Sequence, residues 1–223
     1  FTSRPVGDAM ATTIWGTSSS WTLTALPLFV WMGEILFRTR LSENLFKGLS
    51  PWMQKLPGGL IHVNVVGCAL FAAISGSSAA TVATVGKMSI PELRKRNYPE
   101  KILLGSLAGS GTLGLLIPPS IILIIYGVAV QESIAKLFIA GILPGIMIAL
   151  IFMSYVIFWS LINKKQMPKI VEEYSIFEKI KRSKQLLPVI FLISAVIGSI
   201  YTGIATATEA ASLGVVGALI LSY

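Results

Sequence analysis

Phe71-Ala72-Ala73-Ile74-Ser75-Gly76-Ser77-Ser78-Ala79-Ala80 lies at the centre of an apolar stretch, residues 60–90. A stretch of that length is enough to cross a bilayer, yet its small polar residues would then sit where no water can satisfy them. Whether the chain passes straight through or turns back at residues 75–78 decides the fold. The flanking charges favour turning back. Residues 163–185 hold Lys164, Lys165, Lys169, Lys179, Lys181, Arg182 and Lys184, seven of the eighteen basic residues, which marks that loop as cytoplasmic. One span back, Gln131-Glu132-Ser133 is external, with only Lys136 nearby. Another span back, Lys87, Arg94, Lys95, Arg96 and Lys101 are cytoplasmic again. A single crossing at 60–90 would leave Arg38, Arg40, Lys47 and Lys55 on the wrong side. A re-entrant hairpin keeps all three basic loops inside. Two short helices of half-membrane depth, joined at the serines, fit the length at about 1.5 Å per residue.

The composition demands such a reading. Of 223 residues, 54% are hydrophobic and 13% charged, with a mean hydropathy of +0.77. An ordinary soluble domain has about a quarter charged residues. Disorder is excluded by the same figures, and a disulfide-built module by the single cysteine, Cys68. The net charge of +8 and pI near 9.7 would suggest nucleic acid in a soluble protein. In a membrane protein they follow from basic cytoplasmic loops, so no nucleic-acid partner is expected. The chain is expected to be an all-α integral membrane protein, lying in the lipid bilayer as one membrane domain over 1–223. Its transmembrane helices accompany a re-entrant helical hairpin and a broken helix. The expected segments are a span at 21–37, the hairpin at 60–90 and the broken helix at 102–130. A span at 134–162, the cytoplasmic loop 163–185, a span at 186–204 and the start of another at 207–223 follow. Phe1 is no initiator, residues 213–223 stop in mid-apolar run, and no signal peptide is visible. The expectation is a fragment of a longer protein.

The stretch 102–130 is interrupted twice, by Gly109-Ser110-Gly111-Thr112 and by Pro118-Pro119-Ser120. Two successive prolines remove amide donors and clash with the preceding turn. A hairpin tip followed directly by a broken helix is the arrangement in which secondary transporters hold coupling ions and anionic groups. Ser75, Gly76, Ser77 and Ser78 at the tip, with Gly111, Thr112, Gly114, Pro118, Pro119 and Ser120 at the break, are therefore the candidate substrate- and ion-binding residues. Neutral oxygens from Ser75, Ser77, Gly111 and Thr112 suit a hard cation such as Na⁺. Helix N-termini suit a carboxylate. No cofactor and no catalytic residue is expected. The competing reading, in which the small residues only let helices pack closely, applies to any one Gly or Ser taken alone.

Several stretches together resemble the large permease subunit of the tripartite ATP-independent periplasmic (TRAP) transporters. They are Ala25-Leu26-Pro27-Leu28-Phe29 with Gly33, Leu56-Pro57-Gly58-Gly59-Leu60, and the run from Phe71 to Ala80. To these add Gly111-Thr112-Leu113-Gly114-Leu115-Leu116-Ile117-Pro118-Pro119-Ser120, Tyr126-Gly127, and Leu137-Phe138-Ile139-Ala140-Gly141 with Pro144-Gly145. The resemblance implies Na⁺-coupled import of an organic acid, of C4-dicarboxylate or sialic-acid type, across the bacterial inner membrane. It also implies a periplasmic substrate-binding protein and a small membrane subunit as partners. The implied fold is an inverted-repeat transporter working as an elevator, of which this chain holds the first repeat and the start of the second. Ala207 stands where many relatives have proline. The alternative is a divalent-anion symporter of related architecture, driven by Na⁺ or protons, that needs no binding protein.

Other residues read more plainly. Thr206-Ala207-Thr208-Glu209 before an apolar run reads as a capping box, which accounts for an acid at a membrane segment. Glu34 pairs with Arg38 one turn on. His62 has no second metal ligand nearby in sequence. A serine nucleophile at the tip would lack a base and the strand–turn–helix elbow of hydrolases. For the polar residues of 163–185, a solvated linker is expected rather than an amphipathic surface helix.

Overall fold

The computed structural model describes residues 6–39, 41–168 and 174–222, and every regular element among them is helical. Among the described residues two helices are long and apolar enough to cross a membrane, Ile134–Ile162 and Ile176–Tyr201, and a bent pair, counted as one span, makes a third. That pair is α1 (Val6–Ser18) and the segment Trp21–Arg38, which meet at 45°. The segment opens with a 3₁₀ turn at Trp21–Thr24 and continues as α2 (Ala25–Arg38). No side chain of α1 is buried.

Next comes α3 (Leu41–Met53), where only a basic loop was expected. Its apolar residues fall on one face, with Leu45, Phe46 and Leu49 buried. That periodicity was hidden by Gly48 and Pro51, residues that weigh against a helix on composition alone. Antiparallel helices α4 (Ile61–Ser75) and α5 (Ser78–Lys95) follow, joined through Gly76 and Ser77. Gly67 and Val85, equidistant in sequence from Gly76, face one another; a Cβ on Gly67 would lie 3.5 Å from Val85. The base of the pair is tied as well, because the Leu60 amide donates to the Tyr98 hydroxyl at 3.0 Å. At about 22 and 27 Å, both helices are longer than half a bilayer core.

Helix α6 (Glu100–Gly111) tightens into a 3₁₀ turn at Thr112–Leu115 and then stops. The chain restarts as α7 (Ile121–Val130), so the expected double break at 102–130 is a single one, at residues 116–120. Gly109 and Gly111 stay helical. Helix α8 (Ile134–Ile162) is capped by the Ser133 hydroxyl and runs through Pro144. Within 163–185, Lys169 lies outside the described residues. The rest includes a helix, α9 (Ile176–Ser183), started by a reciprocal cap between Ser175 and Glu178. It docks on α3, with the Trp52 indole N–H donating to Ser183 Oγ at 2.8 Å and Lys179 lying over the Trp52 ring. Finally α11 (Ala207–Ser222) returns against α2, and α10 (Leu187–Tyr201) packs on α11. Glu209 makes the expected cap: its carboxylate accepts from the Thr206 amide at 2.8 Å, and its own amide reaches the Thr206 hydroxyl at 3.4 Å. Glu34 and Arg38 pair at 2.7 Å.

One apolar core runs through the bundle, from Phe29 and Met32 of α2 through Phe71 and Ile74 of α4 to Leu103, Ile124 and Phe138. It holds a polar seam. Asn64 of α4 donates to the Leu103 carbonyl at 3.2 Å and to Ser106 Oγ at 3.0 Å, clamping α4 to α6. Buried amide–hydroxyl pairs of this kind join helices that lack a hydrophobic drive to associate in lipid.

Candidate binding site at the hairpin tip

The tip of the α4–α5 hairpin rests on the break between α6 and α7. Gly76 ends α4 in the left-handed conformation (φ 57°), and its amide bonds back to Ala72. Only glycine reverses the chain here without strain, and it also lets the other backbone come close. A Cβ on Gly76 would lie 2.6 Å from the Pro119 carbonyl, and the Ile121 amide donates to the Gly76 carbonyl at 3.3 Å. Gly114 makes the matching approach from the other side, where a Cβ would lie 2.8 Å from Ser77 C and Ser78 N. A Cβ on Gly111 would collide with Val82 of α5. The Pro118–Pro119 bond is cis, and both prolines are buried at the break. Across the tip from the break, Gly33 of α2 comes within 3.1 Å of Ser75 Cα, again measured to a Cβ position.

The hydroxyls divide by what they are doing. Ser75 Oγ, buried, sits 3.0 Å from Thr81 Oγ and 3.3 Å from the Ser77 carbonyl. Ser77 caps α5, accepting from the Ala80 amide at 3.5 Å. Thr112 is exposed and donates to the Gly109 carbonyl at 2.7 Å. Ser120, fully buried, occupies the N-cap position of α7 but donates to the Leu115 carbonyl at 2.7 Å instead of capping the helix. Ser78 differs. Its Oγ is buried and has no hydrogen-bond partner among the described residues. A buried hydroxyl in that condition costs about 1–3 kcal/mol unless something meets it.

Four helix ends therefore converge. The C-terminal ends of α4 and of the 3₁₀ turn bring carbonyl oxygens, and the N-termini of α5 and α7 bring amides. The partial charges at such ends favour a cation and an anion respectively. The residues supply neutral oxygens for the one and, at α7, an N-terminus with no side-chain cap for the other, its Ile121 amide already donating to Gly76. Among the described residues no carboxylate touches the tip.

Of the ten residues picked out in the sequence, Gly76, Ser77, Ser78, Gly114 and Pro119 meet directly across the tip–break contact. Gly111 borders it through Val82. Thr112 turns its hydroxyl to its own helix. Gly33 went unread as a site residue, although a glycine within α2 was visible, because nothing local says which neighbour it admits. Asn64 also went unread; an amide in an apolar run, with Ser106 and Ser110 one turn apart elsewhere, was the available signal.

A family model described as "Tripartite ATP-independent periplasmic transporter, DctM component" matches residues 1–223. The C4-dicarboxylate TRAP transporter large permease protein DctM of Pseudomonas aeruginosa is 36% identical over 208 residues, covering 93% of this chain and 48% of that permease. Its namesake from Rhodobacter capsulatus is 32% identical over 229 residues, 96% of this chain and 51% of its own. The sialic acid TRAP transporter large permease protein SiaM of Vibrio cholerae is 34% identical over 208 residues, 92% of this chain and 48% of its own. The chain spans about half the length of these curated relatives. The family consists of transport permeases, not enzymes. With its helical membrane architecture and a match along its whole length, the chain belongs to the DctM-component family of the TRAP transporters.

Proposed function

We propose that this chain supplies half of the translocation site of a Na⁺-coupled importer of organic acids, of C4-dicarboxylate or sialic-acid type. The substrate arrives on a periplasmic binding protein, and a small membrane subunit flanks the permease in the bacterial inner membrane. The hairpin enters the membrane from the cytoplasmic side and turns back at residues 75–78. Hairpin and broken helix move together as the carrier of an elevator, and an inverted second repeat completes the site. One observation carries this reading: the hairpin tip and the helix break touch through Gly76–Pro119 and Gly114–Ser78, with Ser78 Oγ buried and unmet among the described residues. Na⁺ would find neutral oxygens there, from Ser78 and the helix-end carbonyls. A substrate carboxylate would face the N-terminus of α7. A proton would find no carboxylate to ride on.

The test is uptake by the complete three-component system in proteoliposomes. Ser78→Ala should raise the half-saturating Na⁺ concentration by roughly five- to 150-fold, the range for one unmatched polar partner. Ser77→Ala should act in the same direction, and Thr112→Ala should act least. Equal uptake on a proton gradient in Na⁺-free buffer would overturn the coupling assignment. Full uptake without the binding protein would favour the self-sufficient symporter instead.

A further inference from the structure

A second site lies away from the tip, in the groove between α6 and α8. The two helices run antiparallel: a Cβ on Gly109 would sit 3.1 Å from the Phe152 ring. Further along they part, leaving a groove of about 590 Å³ lined by Lys101, Gly105, Phe152, Tyr155 and Trp159 among others. At Gly105 its floor is bare backbone. A Cβ on Gly105 would meet nothing within 4 Å, so the space is empty because no side chain reaches it.

Polarity along the groove is ordered. Ile151 and Phe152 form an apolar end. The Tyr155 hydroxyl and Trp159 indole follow, bonded to nothing among the described residues. Lys101, exposed and without an ion pair among the described residues, stands at the other end. Lys101 is the only charged residue in the lining. The neighbouring Glu100 is engaged by Arg94. The C-terminal end of α8 leads into exposed Lys164 and Lys165, which add positive charge at the same end of α8. Tail, interfacial zone and phosphate follow one another in a phospholipid in this same order.

We infer that this groove is a binding site for one anionic phospholipid of the cytoplasmic leaflet. An acyl chain lies over Gly105 against Phe152, and the phosphate meets Lys101 and the Trp159 indole. Its depth in the bilayer rests on the sidedness proposed above; its chemistry does not.

The experiment uses the full-length protein in nanodiscs of phosphatidylcholine containing phosphatidylglycerol, released into native mass spectrometry. One phosphatidylglycerol should stay bound per chain. Gly105→Leu, which projects a branched side chain from the groove floor where a Cβ meets nothing within 4 Å, should cut that occupancy at least fivefold, while Gly105→Ala should keep it. Lys101→Gln should leave a lipid bound but reduce the preference for phosphatidylglycerol over phosphatidylcholine roughly fivefold, the scale of one lysine at an anionic surface. Unchanged retention in Gly105→Leu would show only annular lipid and overturn the assignment. So would the absence of any retained lipid, which would mean that another part of the protein covers the groove. Neither result bears on Na⁺ coupling, which the uptake assay reads separately.

Discussion

Gly76 and Gly114 do more than turn the chain, because each marks a place where two backbones touch. Gly76→Ala would add a methyl group 2.6 Å from the Pro119 carbonyl at a positive φ. Gly114→Ala would wedge the break off Ser77 and Ser78. Each should lower stability by about 1–3 kcal/mol, the cost of overpacking, with added strain at Gly76. Gly198, inside α10 with nothing within 4 Å, is the control. There alanine should be neutral or stabilising by up to about 1 kcal/mol. Thermal unfolding of the detergent-solubilised full-length protein checks all three. Equal melting temperatures for Gly76→Ala and Gly198→Ala would mean that tip and break are not in contact. Among the serines, their types alone could not rank them. Ser75 and Ser77 are spent on closing the hairpin, whereas Ser78, first residue of α5, keeps an oxygen unmet among the described residues.

At the scale of elements, the break between α6 and α7 is the feature to disturb. Pro118→Ala with Pro119→Ala restores amide donors and removes the ring clash, so the helix is freer to continue through residues 116–120. Continuity would withdraw the Ile121 amide from Gly76 and occupy the carbonyls that now end the 3₁₀ turn. Uptake per folded molecule should fall at least tenfold, while the amount of folded protein in the membrane falls much less. Unchanged uptake per molecule would reduce the break to packing geometry. The elements missed in the sequence, α1, α3 and α9, share a cause. All three are short, and α9 is rich in charge, so their apolar periodicity covers few turns. α3 and α9 become visible as a pair once Trp52 is seen meeting Ser183 and Lys179.

For the whole molecule, the base of the hairpin is as informative as its tip. Leu60 and Tyr98 are joined by a hydrogen bond, so the chain leaves the hairpin beside the point where it entered. Burial pushes the Tyr98 phenol above its ordinary pKa, with the Leu60 amide and Arg96 acting the other way, so the bond is to a neutral hydroxyl. Cysteines placed at Lys55 and at Arg94 in the full-length protein should therefore behave alike. Both should resist an impermeant thiol reagent added from outside and react once the membrane is opened. Labelling of one position alone would establish a single crossing, and labelling of both would reverse the orientation.

What the sequence determined by itself is everything that rests on local chemistry. Apolar length marked the long helix at residues 134–162, Gly and Ser the hairpin tip, and Pro118-Pro119 the break, because each acts on its own stretch of backbone. The Thr206–Glu209 cap and the Glu34–Arg38 pair were legible for the same reason. What only the tertiary structure decided is which of these pieces meet. Tip and break are far apart in the chain, and their contact depends on close approaches at Gly76, Gly111 and Gly114 together with the Asn64 clamp. No local propensity encodes such a contact, since a glycine permits closeness without naming the neighbour. For that reason ten residues could be chosen from the sequence, and only packing could single out Ser78.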